Sequence, residues 1–246
     1  MNLSTIARAL LIAALALSAT HFTACSQDQP AGAATEAASK AAAAKARSDA
    51  DAEKKAAEWV GSLQLGDATK EARVAEVIAT HLKTIRDWHN EHPHTTVPAG
   101  INPVTGKPLS TLDRQMIADS AMPKTVHEAL MTGLRKDLTE PQVEAILDKY
   151  TVGKVEFTMK GYKAIVPDLT VEEEKTILGF LKQAREEAVD YKNMTQISAI
   201  FEIYKTKSEQ YLNSNGRDWK KLYKAYTDAT KARKAEAAKQ QAKPTQ

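Results

Sequence analysis

The chain has 246 residues, with 34 Lys and Arg against 31 Asp and Glu, a formal charge of +3. That near balance excludes the basic footprint of a nucleic-acid binder, and the length suits one modest core. GxSxG, a Walker loop, GxGxxG and the zincin motif are all missing from the sequence, so the reading leans away from an enzyme, with no catalytic residue and no cofactor expected.

The first 24 residues have the layout of a secretory signal. Arg8 precedes an apolar run from Ala9 to Ala19, and the small residues Thr23 and Ala24 follow. A dozen apolar residues are too few for a spanning helix, which needs about 20. The tetrad Phe22-Thr23-Ala24-Cys25 resembles a bacterial lipoprotein cleavage site, with Phe where Leu is usual. Cys25 is the single cysteine, and lipidation there is expected because it removes a free thiol from an oxidising compartment. Two or three acyl chains then anchor the protein to a membrane. The alternative is ordinary cleavage and a soluble product. Ser26 resembles an outer-membrane address, so the expected location is the bacterial cell envelope, as an outer-membrane lipoprotein facing the periplasm or the exterior. Loss of residues 1–24 removes one positive charge, Arg8, from the +3 and leaves +2.

Residues 25–58 follow as anchor and Ala-rich tether. They hold too few large apolar side chains to fold alone, with frayed helix expected from Ala41 to Ala57. Residues 59–228 form the domain, and 229–246 a polar tail. In the domain, Val74, Val77, Ile78, Leu82, Ile85 and Trp88 recur at helical spacing, started by Asp67 or Thr69 and stopped by Pro93. Pro93, Pro98, Gly100, Pro103, Gly106 and Pro108 predict an ordered loop or lid, and 93–120 reads as one long connection. Capping boxes are predicted at Thr125/Glu128, Thr139/Gln142, Thr170/Glu173 and Asn193/Gln196. They open helices through Leu134, Tyr150, about Asp190, and the stripe from Ile197 to Leu212. Asn215-Gly216 ends the last of these, and a final helix carries Trp219, Leu222, Tyr223 and Tyr226. Val155 to Met159 alternates weakly and reads as an extended connector or helix start. The class is all-α, an irregular multi-helix bundle of one domain.

Two resemblances bear on function. The run from Thr158, with Pro167-Asp168-Leu169-Thr170, the Ala184-to-Asp190 helix and the Tyr204-to-Gly216 stretch, resembles the bacterial secreted family of domain of unknown function 3826. Residues 63–92, with Asp87 and His89, and Leu138 to Gln142 extend the likeness over most of the domain, while loop 93–120 departs from it. The resemblance implies a fold and an envelope compartment. The family has no established activity and carries a sugar-binding label. Leu138-Thr139-x-x-Gln142 and Leu169-Thr170-x-x-Glu173 also resemble the repeated motif of small periplasmic helical chaperones and metal-stress sensors, although this spacing is a general helix start.

The candidate ligand-binding residues are Trp88, His89, Tyr162 and Arg185. A sugar site needs an aromatic platform beside planar polar groups, because the axial C–H face of the ring is apolar and its hydroxyls are not. Trp88 beside His89 is the preferred platform, and Arg185 the fork for hydroxyls or a carboxylate. The plainer readings are core aromatics, and an Arg185 tie to another helix with Asp87 as candidate partner. His89 and His92 are three apart, a spacing that can serve a metal. His81 and His89 border the apolar stripe, seven after Val74 and four after Ile85, and no metal is expected. The expected function is a lipid-anchored, non-catalytic carbohydrate-binding or accessory module, with an oligosaccharide as partner. A periplasmic chaperone or stress sensor is the alternative. A glycan hydrolase is third, and would need two carboxylates converging in one cleft.

Overall fold

In a computed structural model of the protein, residues 31–241 are described, with side chains over 36–239. The expected signal, the lipidated Cys25 and residues 242–246 lie outside the described residues. The described chain is helical throughout: α1 (Ala31–Gly61), α2 (Ala68–Glu91), a short 3-10 turn (His94–Thr96), α3 (Thr111–Ser120), α4 (Lys124–Asp137), α5 (Glu140–Thr151), α6 (Lys154–Ile165), α7 (Val171–Ala188), α8 (Met194–Ser214) and α9 (Trp219–Gln241). No described helix is long and apolar enough to cross a membrane. The all-α expectation holds.

Local chemistry explains most boundaries. Asp67 caps α2 by accepting from the Lys70 amide. Thr139 with Gln142, and Thr170 with Glu173, form reciprocal capping boxes, each satisfying two amides that the first turn leaves bare. Asn193 caps α8 through the amides of Thr195 and Gln196. Asn215 ends α8, and Gly216 adopts φ 82°. Three expectations need correction. The Thr125/Glu128 box is not formed: α4 starts two residues earlier, with Pro123 in place of Thr125 before its first turn and no side-chain cap. The connection 93–120 is not one loop. Ser110 and Asp113 cap each other and open α3, and a single antiparallel bridge, Ile101 to Pro108, closes the turn before it. Val155 to Met159 is helix, because Val155, Met159 and Tyr162 fall four and three apart and bury one face.

From Lys45 onward the helices form one compact body. Its apolar residues divide into two clusters. The first joins Ala56 and Val60 of α1 to Ile78 of α2, Leu134 of α4 and Ile146 of α5. The second joins α6, α7, α8 and the start of α9 through Tyr162, Leu181, Ile200, Phe201 and Leu212. Each fully buried side chain of this size contributes about 1.5–3 kcal/mol. The end of α7 stitches the clusters together: Val189 belongs to the first and Tyr191 to the second. Asp190 lies between them, so a carboxylate is carried into the seam.

Ion pairs fix the helix order. Arg185 of α7, 3% exposed, donates to Asp148 of α5 at 2.9 Å and lies 3.6 Å from Glu144. Its partner is therefore α5 and not Asp87. Asp87 instead pairs with Arg86 and Lys45. Arg217, after α8, grips the buried Glu173 at 2.7 Å and holds that carboxyl down at about 2.

Candidate functional site

The seam gathers polar groups from α2, α3, α4 and the α7–α8 turn. Asp190 Oδ1 is 3.0 Å from His81 Nε2, and Oδ2 is 2.9 Å from His127 Nδ1. An ionised carboxylate only accepts, so both imidazoles donate to it. Burial alone would raise the Asp190 carboxyl, but the hydrogen bonds from His127 and His81 outweigh it and hold it below its ordinary value. The same bond raises His127, against the opposing effect of burial. His81 is 3% exposed, and its Nδ1 has no partner.

A second carboxylate sits at the end of α3. Asp119, 5% exposed, lies 2.8 Å from His89 Nδ1 and accepts from Gln115 at 3.0 Å and from Gln196 at 2.5 Å. Gln115 also accepts from the His94 amide. The Pro-rich connection is thereby pinned to α3.

These groups wall a cleft of about 620 Å³ between α3–α4 and α7–α8, where Asp119, His127, Glu186, Glu187 and Asp190 meet Tyr191 and Tyr204. His127 Nε2 is 3.7 Å from Glu186, and the Tyr204 hydroxyl donates to Glu187 at 2.9 Å. Chemically, the cleft can take donors and positive charge, and it presents an imidazole oriented by a buried carboxylate, the arrangement of a proton-transfer group.

The second cavity is of a different kind. A groove of about 700 Å³ between α6, α8 and α9 is lined by Phe157, Tyr162, Trp219, Tyr223 and Tyr226, with Lys205 and Glu209 among its polar groups. Trp219 is tilted against Tyr162 at 5.2 Å and near-parallel to Tyr223 at 5.9 Å. Trp219, Tyr223 and Tyr226 are four and three apart, so one face of α9 carries them in a line. Phe157 is 78% exposed and Tyr223 50%, which leaves aromatic surface open to a ligand.

The four residues singled out from sequence do not share one site. Trp88 and His89 bind α2 to α3: the Trp88 indole donates to the Ala118 carbonyl, and its ring is stacked on His92 at 3.8 Å. Tyr162 lines the aromatic groove, although its hydroxyl donates to the Lys205 carbonyl. Arg185 is the α5–α7 tie. His92 Nδ1 faces the Trp88 carbonyl while His89 faces Asp119. Among the described residues, no group of three or more His, Cys, Asp or Glu is placed to hold a metal ion. Sequence reading missed Asp119, His127, Asp190 and Phe157. Asp190 had a signal of a kind, being a carboxylate at a helix end between two apolar residues. His127 had none, since its partner is 63 positions away.

No curated protein matches the chain. The family described as "Protein of unknown function (DUF3826)" matches residues 49–232. That span takes in α2 to α8 whole, with the C-terminal part of α1 and the N-terminal part of α9, so it includes every residue of the cleft and of the groove. The chain belongs to this family, domain of unknown function 3826.

Proposed function

We propose that the protein is a lipid-anchored envelope protein, held to the outer membrane through Cys25, whose domain binds an oligosaccharide without cleaving it. The observation that carries the reading is the aromatic groove. Its volume is that of a small-ligand site, and exposed aromatic rings clustered in one place mark a binding surface. Phe157 and Tyr223 offer flat apolar faces to the C–H face of a sugar ring. Lys160, Lys205 and Glu209 stand among the same walls for its hydroxyls.

A thermal-shift panel of plant and bacterial oligosaccharides tests the reading. A ligand at a hundred times its dissociation constant stabilises by about 2.7 kcal/mol. One glycan class is expected to raise the melting temperature, and Phe157→Ala and Tyr223→Ala to cancel the rise while leaving the apo melting point nearly unchanged. No shift across the panel, or a shift indifferent to both variants, would refute it. A second reading, glycan hydrolysis, is favoured by the convergence of Glu186 and Glu187 with the oriented His127 in the polar cleft. New reducing ends from a glycan, lost in His127→Gln, would put it first.

A further inference from the structure

We propose that the polar cleft between α3–α4 and α7–α8 is a separate binding site, for a ligand that carries an alkylammonium group next to a hydroxyl or ether oxygen. Charge is the first argument. Asp119, Glu128, Glu186, Glu187 and Asp190 face the cleft, against Lys124 and His127. Asp190 is engaged by two histidines, and Asp119 by His89 and two amides. Glu187 has one oxygen on Tyr204. Glu186 has only the edge of His127, at 3.7 Å, and Glu128 has no Lys or Arg partner among the described residues. Lys207, nearby in sequence to Tyr204, sits 3.9 Å over that ring and is not among the cleft walls. The cleft therefore keeps uncompensated negative charge. An ammonium supplies three donors and a compact positive charge to such a site, whereas a uronate or phosphate meets like charge.

Tyr191 is the second, independent argument. It is 9% exposed and lines the cleft, yet its hydroxyl has no hydrogen-bond partner among the described residues. Burial, then the charges of Glu187, Asp190 and Asp119, push the phenol up to about 12, so it stays protonated and can only gain by meeting an acceptor. The hydroxyl is not one of the fully buried atoms that lack a partner, so it opens onto the cleft, where a ligand atom can reach it. An oxygen on the carbon beside the ammonium would supply that acceptor. Amino sugars and hydroxylated polyamines share this chemistry.

Isothermal titration of the whole protein at low ionic strength tests the assignment, with three probes: a glucosamine tetramer, its fully N-acetylated counterpart, and spermidine. One equivalent of the glucosamine tetramer is expected to bind, the N-acetylated form at least ~10-fold more weakly, because acetylation removes the positive charge and two of the nitrogen's three donors. Glu186→Gln should weaken binding ~10-fold or more, in line with loss of a charge-assisted hydrogen bond. Glu186 is exposed, so this variant keeps its fold, which circular dichroism checks. Tyr191→Phe should weaken the sugar amine and spare spermidine, which has no oxygen. Spermidine uptake in place of the tetramer would overturn the proposal, because spermidine offers Tyr191 no oxygen. Uptake of neither amine, equal uptake of the acetylated tetramer, or indifference to Glu186→Gln would overturn the proposal. Phe157→Ala leaves this binding intact if the cleft and the groove are distinct.

Discussion

At the scale of single residues, Val152 is the clearest case of chemistry at odds with position. It closes α5 at φ 53°, followed by Gly153 at φ 65°. Glycine adopts that region freely, but a β-branched side chain meets its own backbone there. The Val152 side chain is 71% exposed, so no burial offsets the strain. Val152→Asn keeps a residue that tolerates this conformation and should raise stability by about 1 kcal/mol, read as a higher denaturation midpoint at unchanged slope. A lower midpoint would show that Val152 makes a contact that outweighs the backbone. Arg185 teaches a related lesson. Its place on the shoulder of an apolar face told that it needed a carboxylate. Which carboxylate depended on where α5 lies, and the answer is Asp148 and Glu144.

At the scale of elements, α2 and α4 pack closely because Gly133 lets them. A Cβ on Gly133 would stand 2.7 Å from both γ-carbons of Val77. Ala in place of a mid-helix Gly gains about 1 kcal/mol of helix propensity, while overpacking costs about 1–3 kcal/mol. Gly133→Ala should therefore destabilise by about 1 kcal/mol. Adding Val77→Ala removes the clash, so a double-mutant cycle in denaturant should show coupling of opposite sign to simple addition. Strict additivity would place the approach of α2 to α4 under some other control. The capping boxes at Thr139 and Thr170 were legible in sequence, because a cap involves residues three apart. The Thr125/Glu128 pair had the same spacing and was not used, because Pro123 had already started the helix at φ −57°. The loop reading of 93–120 failed through its proline content, which hid the Ser110/Asp113 box at its end.

At the scale of the whole molecule, the seam between the two apolar clusters ties three distant parts of the chain through one carboxylate. His81, His127 and Asp190 come from α2, α4 and the α7–α8 turn, with Glu186 also facing His127. This makes stability depend on pH in a definite direction. His127 is raised in the folded protein, so it binds its proton more tightly than in the unfolded chain. Its contribution is whole below about pH 6.5, the unfolded value, and fades as pH rises through the folded value. Asp190 is lowered, so its share is present above the unfolded value of about 3.9 and fades as pH falls through its folded value. Melting temperature followed from pH 5 to 9 should decline through the upper part of that range. His127→Gln should flatten the decline. An unaltered profile in that variant would mean that other groups set the dependence.

Fold class was decided by the sequence alone: hydrophobic periodicity, capping residues and the Asn215-Gly216 stop are local, and a helix is a local object whose hydrogen bonds reach four residues. The same holds for the family membership, whose motifs were readable along the chain. The candidate sites were decided by tertiary structure. Tyr162 was marked as an aromatic, but its groove exists because α9 returns to α6 and places Trp219 and Tyr223 beside it. Asp190 reaches His81 across 109 positions, and no periodicity carries information over that distance. Which charges meet is set by the angles and offsets at which helices pack, and those follow from the shapes of Ile78, Leu134, Leu181 and Phe201 acting together.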